Sequence, residues 1–167
     1  MAELLRTHPL ESREGALAAV GATVEPFVAM MNVRGESELP PNTWAPAGDG
    51  YAIWLGPDEW LLTAPGEAPW ELEERTRAAG SVTDVSAQRI TLRLTGERVR
   101  AVLAKGCAID LHPRMFGRGR SAQSTLGRAG VVLLSLSDDG DDYLVLVRSS
   151  FAGYLADWLL DAAAEFA

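Results

Sequence analysis

Short apolar runs, each cut off by glycine, proline or aspartate, constrain this chain more than any other feature. Tyr51 to Leu55 and Trp60 to Ala64 are separated by Gly56, Pro57, Asp58 and Glu59, the composition of a β-hairpin with a four-residue connection. Val131 to Leu136 and Tyr143 to Val147 repeat the pattern across Asp138, Asp139, Gly140, Asp141 and Asp142, an acidic turn that has to lie in solvent. Between these pairs Val82, Val85, Ile90, Leu92 and Leu94 mark one or two strands, with alternation clear from Ile90 to Leu94, where Thr91 and Arg93 point the other way. Phe27 to Val33 is a further apolar run, closed by Gly35, and reads as a strand entering a loop.

The longer helical period appears in fewer places. Pro69 stands where a first helical residue needs no N–H, and Glu71, Glu73 and Glu74 follow at the electropositive end of a helix that runs to about Ala79 and stops at Gly80. Val99, Val102 and Leu103 form a stripe on a short helix closed by Gly106. Ser149 and Ser150 suit an N-cap, after which Phe151, Leu155, Trp158, Leu159, Ala162 and Phe166 keep one helix face apolar while Asp157, Asp161 and Glu165 face outward. Leu10, Leu17 and Val20 suggest a weaker amphipathic helix, interrupted by Gly15. From Gly35 to Gly50 the chain holds Pro40, Pro41, Asn42, Pro46, Gly48 and Asp49, which argues against any regular element and for an arm that is mobile or ordered by a partner. The order of elements predicts an α+β fold, with helices packed on one side of a mainly antiparallel sheet. Residues 1–50, as an N-terminal segment and proline-rich loop, are expected to join the α+β part over 51–167 in one domain.

Composition narrows the function classes. An apolar fraction of 47% with 23% charged residues is that of an ordinary globular chain, and no run approaches the roughly 18 apolar residues of a membrane span. Met1 to Leu10 carry Glu3 and lack a basic region followed by an apolar stretch, so no secretory signal and a cytoplasmic location are expected. Cys107, the single cysteine, cannot form an internal disulfide and excludes a cysteine-only zinc site. A formal net charge of −8 opposes general binding to nucleic acid, with Arg114, Arg118, Arg120 and Arg128 as a local exception.

Few residues carry the signature of chemistry. Asp84 could hold an amine or take a proton, but in Thr83-Asp84-Val85-Ser86 its carboxylate suits a backbone pin at a turn. Cys107 with His112 and Lys105 would be a nucleophile beside a base, or a small buried thiol in a Gly-Cys-Ala-Ile string. His8 and His112 are too far apart to suggest a metal site, and Gly117-Arg118-Gly119 lacks the further glycines of a dinucleotide fingerprint. No catalytic, cofactor-binding or metal-ligating residue is therefore assigned. The candidate partner interface comprises Trp44, from the proline-rich loop, with Arg114, Arg118 and Arg120, because tryptophan and arginine are the usual anchors of protein interfaces. Trp54 and Trp60, in the hairpin, read as core residues.

Four strings carry a family resemblance: Leu55-Gly-Pro-Asp-Glu-Trp-Leu-Leu62, Val82-Thr-Asp-Val-Ser-Ala-Gln-Arg89, Leu103-Ala-Lys-Gly-Cys-Ala-Ile-Asp-Leu-His-Pro113 and Leu146-Val-Arg-Ser-Ser-Phe-Ala152. In order and spacing they resemble the gamma subunits of heterotetrameric sarcosine oxidase. More distantly, Thr83-Asp-Val-Ser86, Leu94-Thr-Gly96 and the strand from Tyr143 look like the folate-binding domain of the glycine-cleavage aminomethyltransferase. The resemblance implies a complex that oxidatively demethylates sarcosine to glycine, reduces oxygen to hydrogen peroxide and passes the one-carbon unit to tetrahydrofolate. It also implies that large partner subunits hold the flavins, NAD and tetrahydrofolate, while a gamma-type chain holds no cofactor and supports assembly. The folate relatives carry an acidic residue in the strand that here reads Val131 to Leu136, where this chain has only apolar residues and Ser135. That departure implies loss of any aminomethyl chemistry. A stand-alone folate-binding one-carbon protein remains the alternative.

Overall fold

The two-residue period seen at Ile90–Leu94 runs through most strands of the computed structural model, which describes residues 8–166. Of the segment read for a leader, residues 1–7 lie outside the described residues. Ten strands are β1 (Ala22–Val24), β2 (Val28–Arg34), β3 (Trp44–Ala47), β4 (Gly50–Gly56), β5 (Glu59–Pro65), β6 (Ser81–Asp84), β7 (Arg89–Thr95), β8 (Ser121–Leu126), β9 (Ala129–Ser135) and β10 (Asp142–Arg148) among the described residues. The helices there are α1 (Glu14–Ala19), α2 (Pro69–Thr76), α3 (Val99–Ala104) and α4 (Ala152–Ala163). The strands form two antiparallel five-stranded sheets, the first in the order β1-β7-β10-β9-β8 and the second in the order β3-β4-β5-β2-β6.

Alternation assigns each side chain to a layer. In β9 and β10, Val131, Leu133, Tyr143, Val145 and Val147 join α1, α3 and α4 in one core, whereas Val132, Leu134, Leu144 and Leu146 face the second sheet. In β2, Val28 and Met30 face the first sheet, and Ala29, Met31 and Val33 turn outward to meet Leu72 of α2. The result is helix, sheet, sheet, helix, an α+β fold in which each sheet carries helices on one face only. Full burial of residues such as Leu92, Leu103, Leu133 and Leu155 stabilises the chain by roughly 1.5–3 kcal/mol each.

Both sheets share one plan. A three-strand meander (β3-β4-β5 or β8-β9-β10) places its last strand beside the strand that precedes the meander in sequence (β2 or β7). The fifth position is filled by β6, which follows α2, in the second sheet, and by β1, which follows α1, in the first. The start of the chain thus completes the sheet built by its second half, through Ala22↔Leu94 and Val24↔Leu92.

Several local expectations need correction. The stretch from Gly35 to Gly50 contains β3, paired with β4 through Trp44↔Ile53 and Ala47↔Gly50, because sheet pairing satisfies backbone groups that proline density alone suggested were free. Gly50 is required there, since a Cβ would lie 1.8 Å from the Thr63 carbonyl oxygen. The β4–β5 hairpin closes on Pro57-Asp58 with a register shift between Trp54 and Gly56, a tighter turn than the four-residue one expected. Helix α1 runs through Gly15. Ser149 and Ser150 do not cap α4: the Ser149 hydroxyl donates to the Ala87 carbonyl at 2.9 Å, and a 3-10 turn, Ser149–Phe151, leads into the helix. The α2 region follows expectation, with Pro69 first, the Glu71 carboxylate accepting the Ala68 N–H at 3.2 Å, and Gly80 at φ 142° ending the 3-10 turn Arg77–Ala79.

Candidate functional site

Two of the residues that could have formed a catalytic group, Asp84 and His112, are engaged in local turns. Asp84 ends β6, where its Oδ1 accepts the Ser86 amide at 2.9 Å and the Ser86 hydroxyl at 2.6 Å, while Ser86 Oγ accepts the Met30 amide at 2.9 Å. These bonds pin the β6–β7 turn to β2 and leave the carboxylate to position backbone. Cys107, after α3, sits at the edge of the helix-side core and bridges Leu126 through its backbone. His112 lies on the surface, its amide donating to Asp110 Oδ1 at 2.9 Å and its Nδ1 accepting the Arg114 amide at 3.2 Å. Lys105 is turned toward the C-terminus, pairing with Glu165 at 2.9 Å and lying 4.8 Å from the Phe166 ring centroid. No hydrogen bond or ion pair joins these three side chains to one another among the described residues. Among the described residues no group of three or more His, Cys, Asp and Glu side chains could hold a metal ion.

A small cleft opens between the sheets, about 130 Å³, lined by Glu25, Asp49, Tyr51, Thr63, Thr91 and Arg93 among others. Asp142 holds Arg93 through two bonds, 3.1 Å to Nε and 2.8 Å to Nη2, which raises the guanidinium pKa above its ordinary value, first through the hydrogen bond and further by direct charge attraction. Burial pushes the Tyr51 hydroxyl pKa upward. The Thr91 hydroxyl is buried without a hydrogen-bond partner. The cleft falls below the roughly 300 Å³ of a typical small-molecule site.

The interface candidates divide. Trp44 and the Arg118–Arg120 turn, far apart in sequence, meet in space: the Trp44 amide donates to the Gly119 carbonyl at 2.9 Å, and Thr43 bridges Arg120. Trp44 is nevertheless a core residue, 9% exposed, and this corrects the expectation of a solvent-facing anchor. Its indole N–H donates to the Ser135 carbonyl at 2.9 Å, and its ring stands edge-on to Tyr51 at 5.0 Å and 88°. A β3 side chain that points between two sheets has nowhere else to go. Arg114, Arg118 and Arg120 are exposed and carry no ion pair among the described residues, and Met115, 62% exposed, lies among them in sequence. Arg128 lies apart from them, in the β8–β9 turn, where its amide donates to Tyr154 Oη at 3.0 Å. Trp54 and Trp60 face one another across the hairpin, both half-buried, and Trp70 on α2 is 67% exposed.

Sequence reasoning also passed over Arg89 and Arg148, directly paired at the end of the β7–β10 ladder. Fifty-nine positions separate them in the chain, and only the strand register reveals the contact.

Comparison with known proteins gives a consistent result. The Sarcosine oxidase, gamma subunit family matches residues 21–165. Sarcosine oxidase subunit gamma of Corynebacterium sp. (strain P-1) is 38% identical over 171 residues, covering 95% of this chain and 82% of the relative. The subunit of the same name from Arthrobacter sp. is 40% identical over 127 residues, covering 74% of this chain and 62% of the relative. A chain of the heterotetrameric sarcosine oxidase from Corynebacterium sp. U-96, solved in complex with pyrrole 2-carboxylate, superposes with TM-score 0.86 at 28% identity, over 97% of this chain and 96% of that one. Glycine cleavage system aminomethyltransferase T from Bartonella henselae superposes with TM-score 0.61 at 18% identity over 92% of this chain and 50% of that one, a likeness of fold.

Proposed function

The chain belongs to the sarcosine oxidase gamma subunit family, and from that membership we propose that it is an accessory subunit of a heterotetrameric sarcosine oxidase, without catalytic activity of its own. The observation that carries this reading is end-to-end correspondence, 97% against 96%, with a chain of a solved heterotetrameric enzyme. In the proposed complex, sarcosine is oxidatively demethylated to glycine with formation of hydrogen peroxide and transfer of the one-carbon unit to tetrahydrofolate. Large partner subunits hold the flavins, NAD and tetrahydrofolate.

The site geometry is compatible with this division of labour. Asp84 is held in a turn and His112 Nδ1 accepts a backbone amide, whereas Arg114, Arg118 and Arg120 are exposed and form no ion pair among the described residues, with the exposed Met115 next to Arg114 in sequence. An apolar side chain among forked cations is a surface suited to an acidic, partly apolar partner. With Trp44 supporting the Gly119 turn from inside, the contact surface reduces to the three arginines and Met115.

The test is a tagged pull-down of this chain from its native extract, followed by an absorbance spectrum of the eluate. Large chains eluting with flavin absorbance are expected. A colourless chain eluting alone would refute the reading, and a subsequent titration with tetrahydrofolate would then address the folate-binding alternative.

A further inference from the structure

We propose that the uncovered end of the first sheet's inner face, built around Arg89 and Arg148, is a second docking site that receives a carboxylate-bearing segment of a partner chain. This inference rests on the accessory-subunit reading above. Arg89 and Arg148 form the last residue pair of the β7–β10 ladder. Their side chains share the inner face, in step with Thr91 and Arg93 on β7 and with Leu144 and Leu146 on β10. Like charges placed directly opposite on one sheet face repel. A counter-charge would remove that cost, yet no carboxylate lies within ion-pair distance of either among the described residues.

Three further observations point to an external partner. Arg89 is half-buried with its Nε lacking an acceptor, and its guanidinium pKa is held below the ordinary value, first by burial and then by Arg148. The carboxylate of Glu59, which acts on Arg89 from the second sheet, is already held by Arg34 at 3.0 Å and Asn32 at 2.7 Å. Arg93, two positions along the same strand face, shows the satisfied alternative, with Asp142 gripping it by two bonds. A forked guanidinium takes a carboxylate in that bidentate way.

The surroundings favour a polypeptide over a small ion. The arginines open onto a trough of about 750 Å³ that also runs past Gln123, Thr125, Gly130 and Phe151. Nothing lies within 4 Å of where a Gly130 Cβ would stand, and Phe151 is 43% exposed, so an incoming chain has both room and an apolar contact. The net charge of −8 opposes nucleic acid and anionic membranes, but not one acidic side chain placed between two arginines. This surface is distinct from the one around Arg120. The Arg120 carbonyl accepts the Ser135 amide at one end of β9, whereas Gly130 lies near the other, five residues and roughly 17 Å away.

The experiment co-expresses the tagged chain with the large oxidase subunits and compares wild type, Arg148→Gln and the charge reversal Arg148→Glu. Capture is quantified over a salt series, and circular dichroism checks each variant's fold. Arg148→Glu is expected to capture the large chains about 30-fold more weakly or worse, with Arg148→Gln intermediate. If Arg148→Glu fails to fold, Arg148→Gln carries the comparison. Equal capture by wild type and folded variants would overturn the docking proposal and leave the accessory-subunit reading standing. If wild type itself captures nothing, that reading fails and the proposal with it. Equal capture, combined with inorganic phosphate binding to wild type alone by calorimetry, would give the arginines to a free anion and also overturn the proposal.

Discussion

Trp44→Ala should lower the stability of the isolated chain by about 4 kcal/mol, within the roughly 3–5 kcal/mol that loss of a buried large aromatic costs. The indole lies between the sheets in the cluster of Met30, Ile53, Leu61, Leu134 and Leu144, edge-on to Tyr51 at 5.0 Å. Removing it opens a cavity and deletes the bond to the Ser135 carbonyl, but that oxygen still accepts the Gly119 amide at 3.3 Å. The full penalty of an orphaned buried acceptor is therefore not added. For a chain of this size, about 4 kcal/mol corresponds to a fall in Tm of roughly 8–16 °C. Trp44→Phe keeps much of the aromatic bulk and should cost about 1–2 kcal/mol, chiefly the lost hydrogen bond and the smaller ring. Urea unfolding followed by circular dichroism, with thermal melts alongside, measures both variants. A Trp44→Ala midpoint within about 0.5 kcal/mol of wild type, as for an ordinary surface substitution, would refute the packing argument and return Trp44 to the surface.

Gly50→Ala places a Cβ 1.8 Å from the Thr63 carbonyl oxygen, where no flexible side chain can yield, and should destabilise by about 3 kcal/mol or more in the same urea assay. Gly15→Ala meets no atom within 4 Å in α1 and should instead raise stability by about 0.5–1 kcal/mol; a loss would show that Gly15 is needed for a reason other than helix formation. Asp84→Ala removes the acceptor for the Ser86 amide and hydroxyl and should cost about 1–2 kcal/mol without altering oxidase turnover in the assembled complex. The hydrogen bond from Arg75 is the main cause that holds the Glu67 carboxyl pKa below its ordinary value. A depressed folded-state pKa gives stability that is present above the unfolded value and is lost as pH falls through the folded one. Arg75→Ala should therefore return the Glu67 titration by NMR to the usual carboxylate range and shrink this contribution to acid unfolding.

The legible parts of the fold were those whose pairing is local in sequence. The β4–β5 and β9–β10 hairpins, the Pro69 helix and the last helix all announced themselves by apolar period and turn residues. β8 did not, because Ser121, Gln123 and Thr125 alternate with Ala122 and Ser124 and offer no apolar face to read. β1 is three residues long and exists because β7 has a free edge. The proline-rich stretch concealed β3 since Pro46 lies on an edge strand, where a missing N–H costs little. Division of the strands between two sheets was likewise invisible, as it depends on β7 pairing with β10 and β2 with β5 across long chain separations. The candidate site followed the same rule: Arg114, Arg118 and Arg120 were readable as a local cluster, the burial of Trp44 was not, and the Arg89–Arg148 pair arises only from register.

On the proposed reading, this chain supports an oxidase whose chemistry resides in other subunits. Sarcosine-dependent hydrogen peroxide formation should be measured with the isolated chain, with the large subunits co-expressed without it, and with the full set. No turnover is expected from the isolated chain, full turnover from the complete complex, and reduced or rapidly decaying turnover when this chain is omitted. Turnover by the isolated chain, or an equally active and long-lived oxidase in its absence, would contradict it.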